Sequence, residues 1–466
     1  MTEKTFTARE VLSRAEELRR TLPGGFRDEI LKSLYAEAEK ISRRAVKTSS
    51  EKKYDFDRKI DRLVTSPVFG LPIMFLLLAV IIWITIVGAN IPSRLLAQAL
   101  FWIEENAAAL FEILGSPWWL TGFLWHGVWR GLAWVVSVML PPMAIFFPLF
   151  TILEDLGYLP RVAFNLDWLF RKAGAHGKQA LTMAMGFGCN AAGVVSTRII
   201  DSPRERLIAI LTNNFVPCNG RFPTLIMLAT VFVAASFPAS LASFIAAGSV
   251  LGIILIGIGM TFFMSWFLGR TILKGEASAF TLELPPYRRP NVIQILYTSL
   301  IDRTIFILWR AIIMASPAGA LIWILGNIHV SGASLAGHIA GFLDPFGALF
   351  GLDGVIILAY IIAIPANEIV VPTMLMVYMG TGIMTDMPVL SELKTLLVDG
   401  HGWTMLTAVN LMLFSLLHNP CATTIFTIYK ETNSKKWAAM SVIITLATAF
   451  LVTFLTASLA RVLGWA

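Results

Sequence analysis

The sequence predicts an all-α polytopic membrane protein, with about seven full spans and two broken gate segments arranged as pseudo-inverted repeats. Three observations carry this. Of 466 residues, 56% are hydrophobic and 14% charged, with a mean hydropathy of +0.71, whereas a soluble domain carries about a quarter charged residues. Several uncharged stretches reach the roughly 20 residues that the hydrocarbon of a bilayer requires. Two other apolar runs contain helix breakers or an acid: GFGCN at 186–190 and IPANE at 364–368. The formal charge of +7 therefore reads as a topology signal on the loops and not as a nucleic-acid footprint. The chain opens on a charged segment, so no cleavable signal peptide is expected. Cys189, Cys218 and Cys421 form no CxxC pair and lie in apolar segments, which argues against a disulfide framework.

Residues 1–65 are expected to form a cytoplasmic amphipathic helical segment. Thr7 and Glu10 have capping-box spacing ahead of VLSRAEELRR. After the PGG break at 23–25, Ile30, Leu31, Leu34, Tyr35, Ala38, Ile41 and Ala45 recur at helical spacing. Such helices either lie on the membrane surface or dock a partner protein. The first membrane half, 66–268, contains spans at Phe69–Ile91, Trp129–Leu153, Leu207–Val233 and Ser240–Leu268, with the first gate region between the second and third. A cytoplasmic loop, 269–303, precedes the second half, 304–466, with spans at Thr304–Leu325, Trp403–Ile428 and Trp437–Leu463.

The Lys/Arg bias orients these spans. The N-terminal segment is basic, and the 269–303 loop carries Arg270, Lys274, Arg288, Arg289 and Arg303, so both are expected in the cytoplasm. From Asn327 to His401 the only Lys or Arg is Lys394, which marks that region as external. These assignments agree only if the GFGCN run enters from the cytoplasm and returns, and the IPANE run does the same from outside. The N-terminus is then cytoplasmic.

Non-helical backbone at membrane depth is tolerated where it is buried in protein or lines an aqueous cavity. Two broken segments entering from opposite faces are what inverted-repeat transporters place at a midplane site. An internal echo supports the pairing: GFGCN is followed by a span containing VPCN (216–219), and IPANE by one containing NPCA (419–422). Pro217 and Pro420 within those spans free carbonyls in the preceding turn, as Gly186, Gly188 and Pro365 loosen the broken segments. A lone buried cysteine is ordinarily a small hydrophobe, but all three here stand beside a break.

At these residues the chain resembles the ferrous iron transporter B (FeoB) family. The run from Ile152 to Pro223, with its ED-GY-R and GFGCN patterns, is similar to that family's first gate region. KIDRLVTSPVFGLPI (59–73) resembles its entry into the first membrane helix, ELPPYRRP (283–290) its central cytoplasmic loop, and ANEIVVPT (366–373) with HNPCATTIFTIYKETNSKKWA (418–438) its second gate region. The likeness runs from about residue 30 to the C-terminus. It implies a permease for Fe(II) in the inner membrane, with no enzymatic activity. The family usually begins with a small GTPase domain, but no GxxxxGK[ST] phosphate loop occurs in these 466 residues. The expectation is a transport module with no nucleotide site of its own, any GTPase switch being supplied in trans at residues 1–60. The second gate reads Ala-Asn-Glu where many relatives have a basic residue before the acid, which bears on metal selectivity.

The chemistry suits a transition metal. Fe(II) accepts mixed S, N and O donors, whereas Mg(II) prefers oxygen and water. The candidate ligands are Cys189, Cys218 and Cys421, the amides of Asn190, Asn219 and Asn367, with Asn214 and Asn419 nearby, the carboxylate of Glu368, and His418. An acid at membrane depth is expensive and usually functional, so Glu368 is the most informative charge; its structural alternative is an ion pair with Arg221. Glu154 and Asp155 are gate residues, or else are solvated or paired with Arg161. His418 is a ligand or a satisfied core histidine, and Met183, Met185, Met374 and Met376 are expected to pack helices. Fe(II) is thus the transported substrate, not a resident cofactor, and lipid and a homo-oligomer are the remaining expected partners. Manganese or another divalent metal, a nucleoside, or a scaffold and sensor role are the alternatives.

Overall fold

Seven helices among the described residues are long and apolar enough to cross a membrane, and each falls on a predicted span. The computed structural model describes residues 26–45, 59–66, 68–274, 286–330, 332–385 and 390–464. The capping box at Thr7 and Glu10, the PGG turn and residues 275–285 of the basic loop lie outside them.

In chain order, α1 is Phe26–Ala45, α2 Gly70–Ile113, α3 Trp118–Asp155 (with a π stretch at Gly122–Trp129), α4 Tyr158–Lys172, α5 Gln179–Gly188 and α6 Asn190–Ser196. There follow α7 Pro203–Thr212, α8 Phe222–Leu228, α9 Ala239–Arg270, α10 Val292–Tyr297, α11 Phe306–Asn327 and α12 Leu335–Leu349. The remainder are α13 Gly354–Ile362, α14 Val370–Met379, α15 Leu390–Thr395, α16 Met405–Leu417, α17 Ala422–Thr432 and α18 Lys435–Val462. The strands described are a two-residue ladder, His329–Val330 with Ala333–Ser334.

Burial sorts the helices into centre and periphery. The span Met405–Thr432 is 78% buried, but α9 only 17%. Trp83, Phe244 and Leu459 on the outer helices are largely exposed, as apolar side chains facing lipid should be. At the centre, α3 and α11 cross on small residues. A Cβ on Gly131 would stand 2.8 Å from Gly319 Cα, so only glycine allows this approach. The methionines expected to pack do so: Met374 and Met376 lie in one core cluster, Met183 and Met185 in another.

Three predicted details are corrected. The first span continues to Ile113 as one 44-residue helix through Pro92, well beyond the predicted Ile91. Pro217 and Pro420 do not lie inside helices; each occupies an extended interruption, at 216–218 and 418–421, that splits its span in two. The third correction is a missed element. α12 and α13, which fall on none of the predicted spans, are bent by 109° at their junction.

Arg161, completely buried, does not pair with Glu154 or Asp155. Its Nε and Nη2 donate to Asp61 at 3.0 and 3.3 Å, and its guanidinium lies 4.2 Å from the Tyr287 ring centroid. Nη1 donates to the carbonyl of Gly157, whose φ of 82° at the α3–α4 corner suits glycine. One arginine thereby ties the pre-span segment, the ED-GY-R corner and the central loop together. Asp155 instead accepts the Asn291 backbone N–H at 3.1 Å. On α1, Ile30, Leu34, Tyr35 and Ile41 are exposed, so its apolar stripe is uncovered among the described residues.

Candidate functional site

The two helix breaks share one backbone geometry. α5 ends at Gly188, Cys189 is extended (φ −155°, ψ 126°), and α6 starts at Asn190. In the second half α13 ends at Ile362, Ala366 is extended (φ −152°, ψ 121°), and a helical turn starts at Asn367. The interruptions in the following spans match as well, with Cys218 at φ −84°, ψ 169° and Cys421 at φ −63°, ψ 159°, each directly after a proline. The echo read from VPCN and NPCA is thus a repeat of conformation. By that correspondence Ala366 is the counterpart of Cys189, and Cys421 of Cys218.

All four breaks meet at one small cavity of about 30 Å³. Its lining includes Cys189, Cys218 and Cys421, the amides of Asn190, Asn219 and Asn367, Glu368, Gly188 and Pro365. The three thiols are free and half-buried. Among the described residues no three His, Cys, Asp or Glu side chains stand close enough to hold a metal together. The donors line a space and do not form a closed cage.

Close packing sets the shape of this space. A Cβ on Gly188 would overlap the Phe146 ring, and one on Gly220 would overlap the Glu368 carboxylate. Arg221 does not pair with Glu368. Its Nη1 donates to the carbonyls of Asn214 (2.8 Å) and Leu416 (2.7 Å), and its Nη2 to the His418 carbonyl (3.1 Å). An arginine at full burial thus fastens the first interruption to the second, using main-chain oxygens that the broken helices leave open. Asn214 joins in: its Nδ2 donates to the His418 carbonyl at 2.8 Å, while its Oδ1 accepts from Asn190 Nδ2 at 3.0 Å. At the far end of the gates, Arg198 meets Glu431 in a two-pronged pair at 2.8 and 2.7 Å.

His418 lies outside the cavity lining. Its Nδ1 is 2.9 Å from the Ser415 carbonyl, its Nε2 3.3 Å from Asn367 Oδ1, and its ring packs on Tyr360 and Phe414. Asn419 is buried and Nδ2 donates to the Pro420 carbonyl. Glu154 and Asp155 end α3, away from the cavity.

Sequence reasoning missed Thr423, Thr424, Met139 and Met143, which also line the cavity. Thr424 Oγ1 lies 3.3 Å from Cys421 Sγ. The signal was available for the threonines, two hydroxyls directly after Pro-Cys in an apolar run. Nothing local distinguished the methionines from packing residues.

Comparison with known proteins gives two family matches. Residues 136–232 and 308–435 match a model described as Gate, nucleoside recognition, and 250–302 match the ferrous iron transport protein B C terminus. The Fe(2+) transporter FeoB of Staphylococcus aureus (strain MSSA476) is 28% identical over 417 residues, covering 87% of this chain and 59% of the relative. That of Synechocystis is 30% identical over 418 residues, covering 87% and 63%. An Fe(2+) transport protein A/Fe(2+) transporter FeoB fusion protein of Porphyromonas gingivalis is 27% identical over 443 residues, covering 85% and 51%. The chain therefore spans less than two thirds of the length of these relatives. No solved structure matches it.

Proposed function

Since the chain belongs to the ferrous iron transport protein B family, matching its membrane portion, we propose that it carries Fe(II) across the inner membrane through the cavity between its helix breaks. The observation that carries this reading is the lining itself: three cysteines far apart in sequence, with Glu368, around one space. Thiol, amide and carboxylate together suit a metal of intermediate softness. Glu368 supplies the compensating charge that a cation at membrane depth needs. Without a closed cage, the ion would pass from donor to donor, held firmly enough to enter and weakly enough to leave.

The N-terminus is then cytoplasmic, a reading that the basic loop after α9 supports. A cysteine replacing Lys274 should be labelled only from the cytoplasm, and one replacing Gly332 only from outside. A membrane potential of 100 mV contributes roughly 4.6 kcal/mol to a divalent ion, so the electrical gradient alone can drive accumulation. Any GTPase switch acts as a gate through residues 1–60. The fusion relative, which joins an Fe(2+) transport protein A to an Fe(2+) transporter FeoB, supports a protein partner.

The Gate description favours a second reading, a nucleoside carrier. Small-molecule sites span about 300–1,000 Å³, whereas the cavity here is about 30 Å³, which favours an ion. The test is uptake into proteoliposomes under an inside-negative potential. Fe(II) should enter, and flux should fall in Cys189→Ser, Cys218→Ser and Cys421→Ser. Wild-type flux in the triple variant would remove the thiols from the mechanism. Uridine uptake without Fe(II) uptake would replace the reading, and Mn(II) preference would correct its substrate.

A further inference from the structure

Beside the thiol cavity, the last turn of α5 gathers acceptors without donors. Asn190 and Asn213 are 3% and 1% exposed, and the Oδ1 of each has no hydrogen-bond partner among the described residues. Neither amide can be turned round to remedy this. Asn190 Nδ2 must donate to Asn214 Oδ1, because Arg221 Nη2 and Asn214's own bond to His418 orient that amide. Asn213 Nδ2 must donate to the Asn190 carbonyl at 3.2 Å. Both Oδ1 atoms stand near Gly186: Asn213 Oδ1 is 3.1 Å and Asn190 Oδ1 3.4 Å from the point where a Cβ would stand, with Asn213 Nδ2 3.2 Å from it.

The backbone adds more of the same. Cys189 is extended and no helical turn runs through it, so the carbonyls of Gly186, Phe187 and Gly188 end α5 without amide donors. A helix C-terminus carries partial negative charge, and an orphaned acceptor in a dry interior is unfavourable. The corresponding amide in the second half, Asn367, has His418 Nε2 beside its Oδ1.

We propose that this turn is a binding site for a monovalent alkali cation, held by Asn190 Oδ1, Asn213 Oδ1 and the open carbonyls of α5. Every donor is a neutral oxygen. Divalent cations are held by sites that include carboxylates, and iron-selective sites add sulfur or nitrogen; a neutral oxygen shell at a half-helix end suits a single charge. The site adjoins the path of the transported ion, sharing Asn190 and Gly188 with the cavity lining, and does not depend on that ion being Fe(II).

The test is thermal unfolding of the full chain in detergent, in NaCl against choline chloride at equal ionic strength. Wild type should melt higher in Na⁺, by about 2 °C or more, with a saturable dose dependence. Gly186→Ala, whose methyl would stand 3.1 and 3.4 Å from the two oxygens, should lose the response. Identical wild-type melting in Na⁺, K⁺ and choline would overturn the proposal, since water would then serve the oxygens. A full Na⁺ response in both Gly186→Ala and Asn213→Ala would overturn the location.

Discussion

Gly220 and Glu368, from opposite halves of the chain, are pressed together so closely that the carboxylate fills the space a Cβ on Gly220 would take. The obstructing atoms end a flexible side chain, so a methyl there displaces the acid and leaves the backbone intact. Gly220→Ala is expected to insert and melt normally but to reduce ion flux roughly 10- to 100-fold, the loss expected when a group is moved by about 1 Å. Gly252→Ala, which meets nothing within 4 Å, should transport as wild type. Equal flux in the two variants would separate Glu368 from the path.

Ala366 occupies in the second half the backbone position of Cys189 in the first, and it lines the same cavity. Ala366→Cys should therefore add a fourth sulfur to the lining. Inhibition by Cd(II), a softer thiol-seeking ion, is expected to tighten about tenfold, equivalent to about 1.4 kcal/mol. Unaltered Cd(II) inhibition would show that the conformational repeat does not extend to where the side chains point.

Arg221 is expected to be structural. Arg221→Met fills a similar volume but leaves the carbonyls of Asn214 and Leu416 without the Arg221 donor, while the His418 carbonyl keeps Asn214 Nδ2. Stability should fall by about 1–3 kcal/mol for each carbonyl left unsatisfied, read as a lower midpoint of thermal unfolding. Arg221→Lys should recover only part, because one ammonium cannot span the forked geometry.

His176, in the turn between α4 and α5 and outside the spans, gives a pH dependence. Burial holds its imidazole below the usual range, against the opposing pull of Glu205 and Asp167. Its Nδ1 accepts the Lys178 backbone N–H at 3.0 Å, which requires the unprotonated nitrogen. The unfolded chain takes up the proton first, near pH 6.5. The stability from neutral His176 is thus complete above that value and declines as pH falls below it. Hydrogen exchange at Lys178 should accelerate between pH 6.5 and 5 in wild type. In His176→Asn, which can accept the same bond without titrating, the acceleration should disappear beyond the intrinsic rate change.

The membrane class, the seven spans and the positions of the breaks were legible because they depend on local quantities: apolar run length, Gly and Pro placement, and an acid where none is cheap. Thus GFGCN and IPANE marked real interruptions before any contact was known. What the tertiary structure decided were partnerships across great sequence distance. Arg161 chose Asp61 over the nearer Glu154 and Asp155, and Arg221 chose main-chain oxygens over Glu368. Composition cannot rank such choices, because each is settled by geometry within a few ångströms after packing has removed water. The same holds for Ala366, Met139 and Met143, which no local pattern sets apart from packing residues and which only the meeting of the helix breaks places at the cavity.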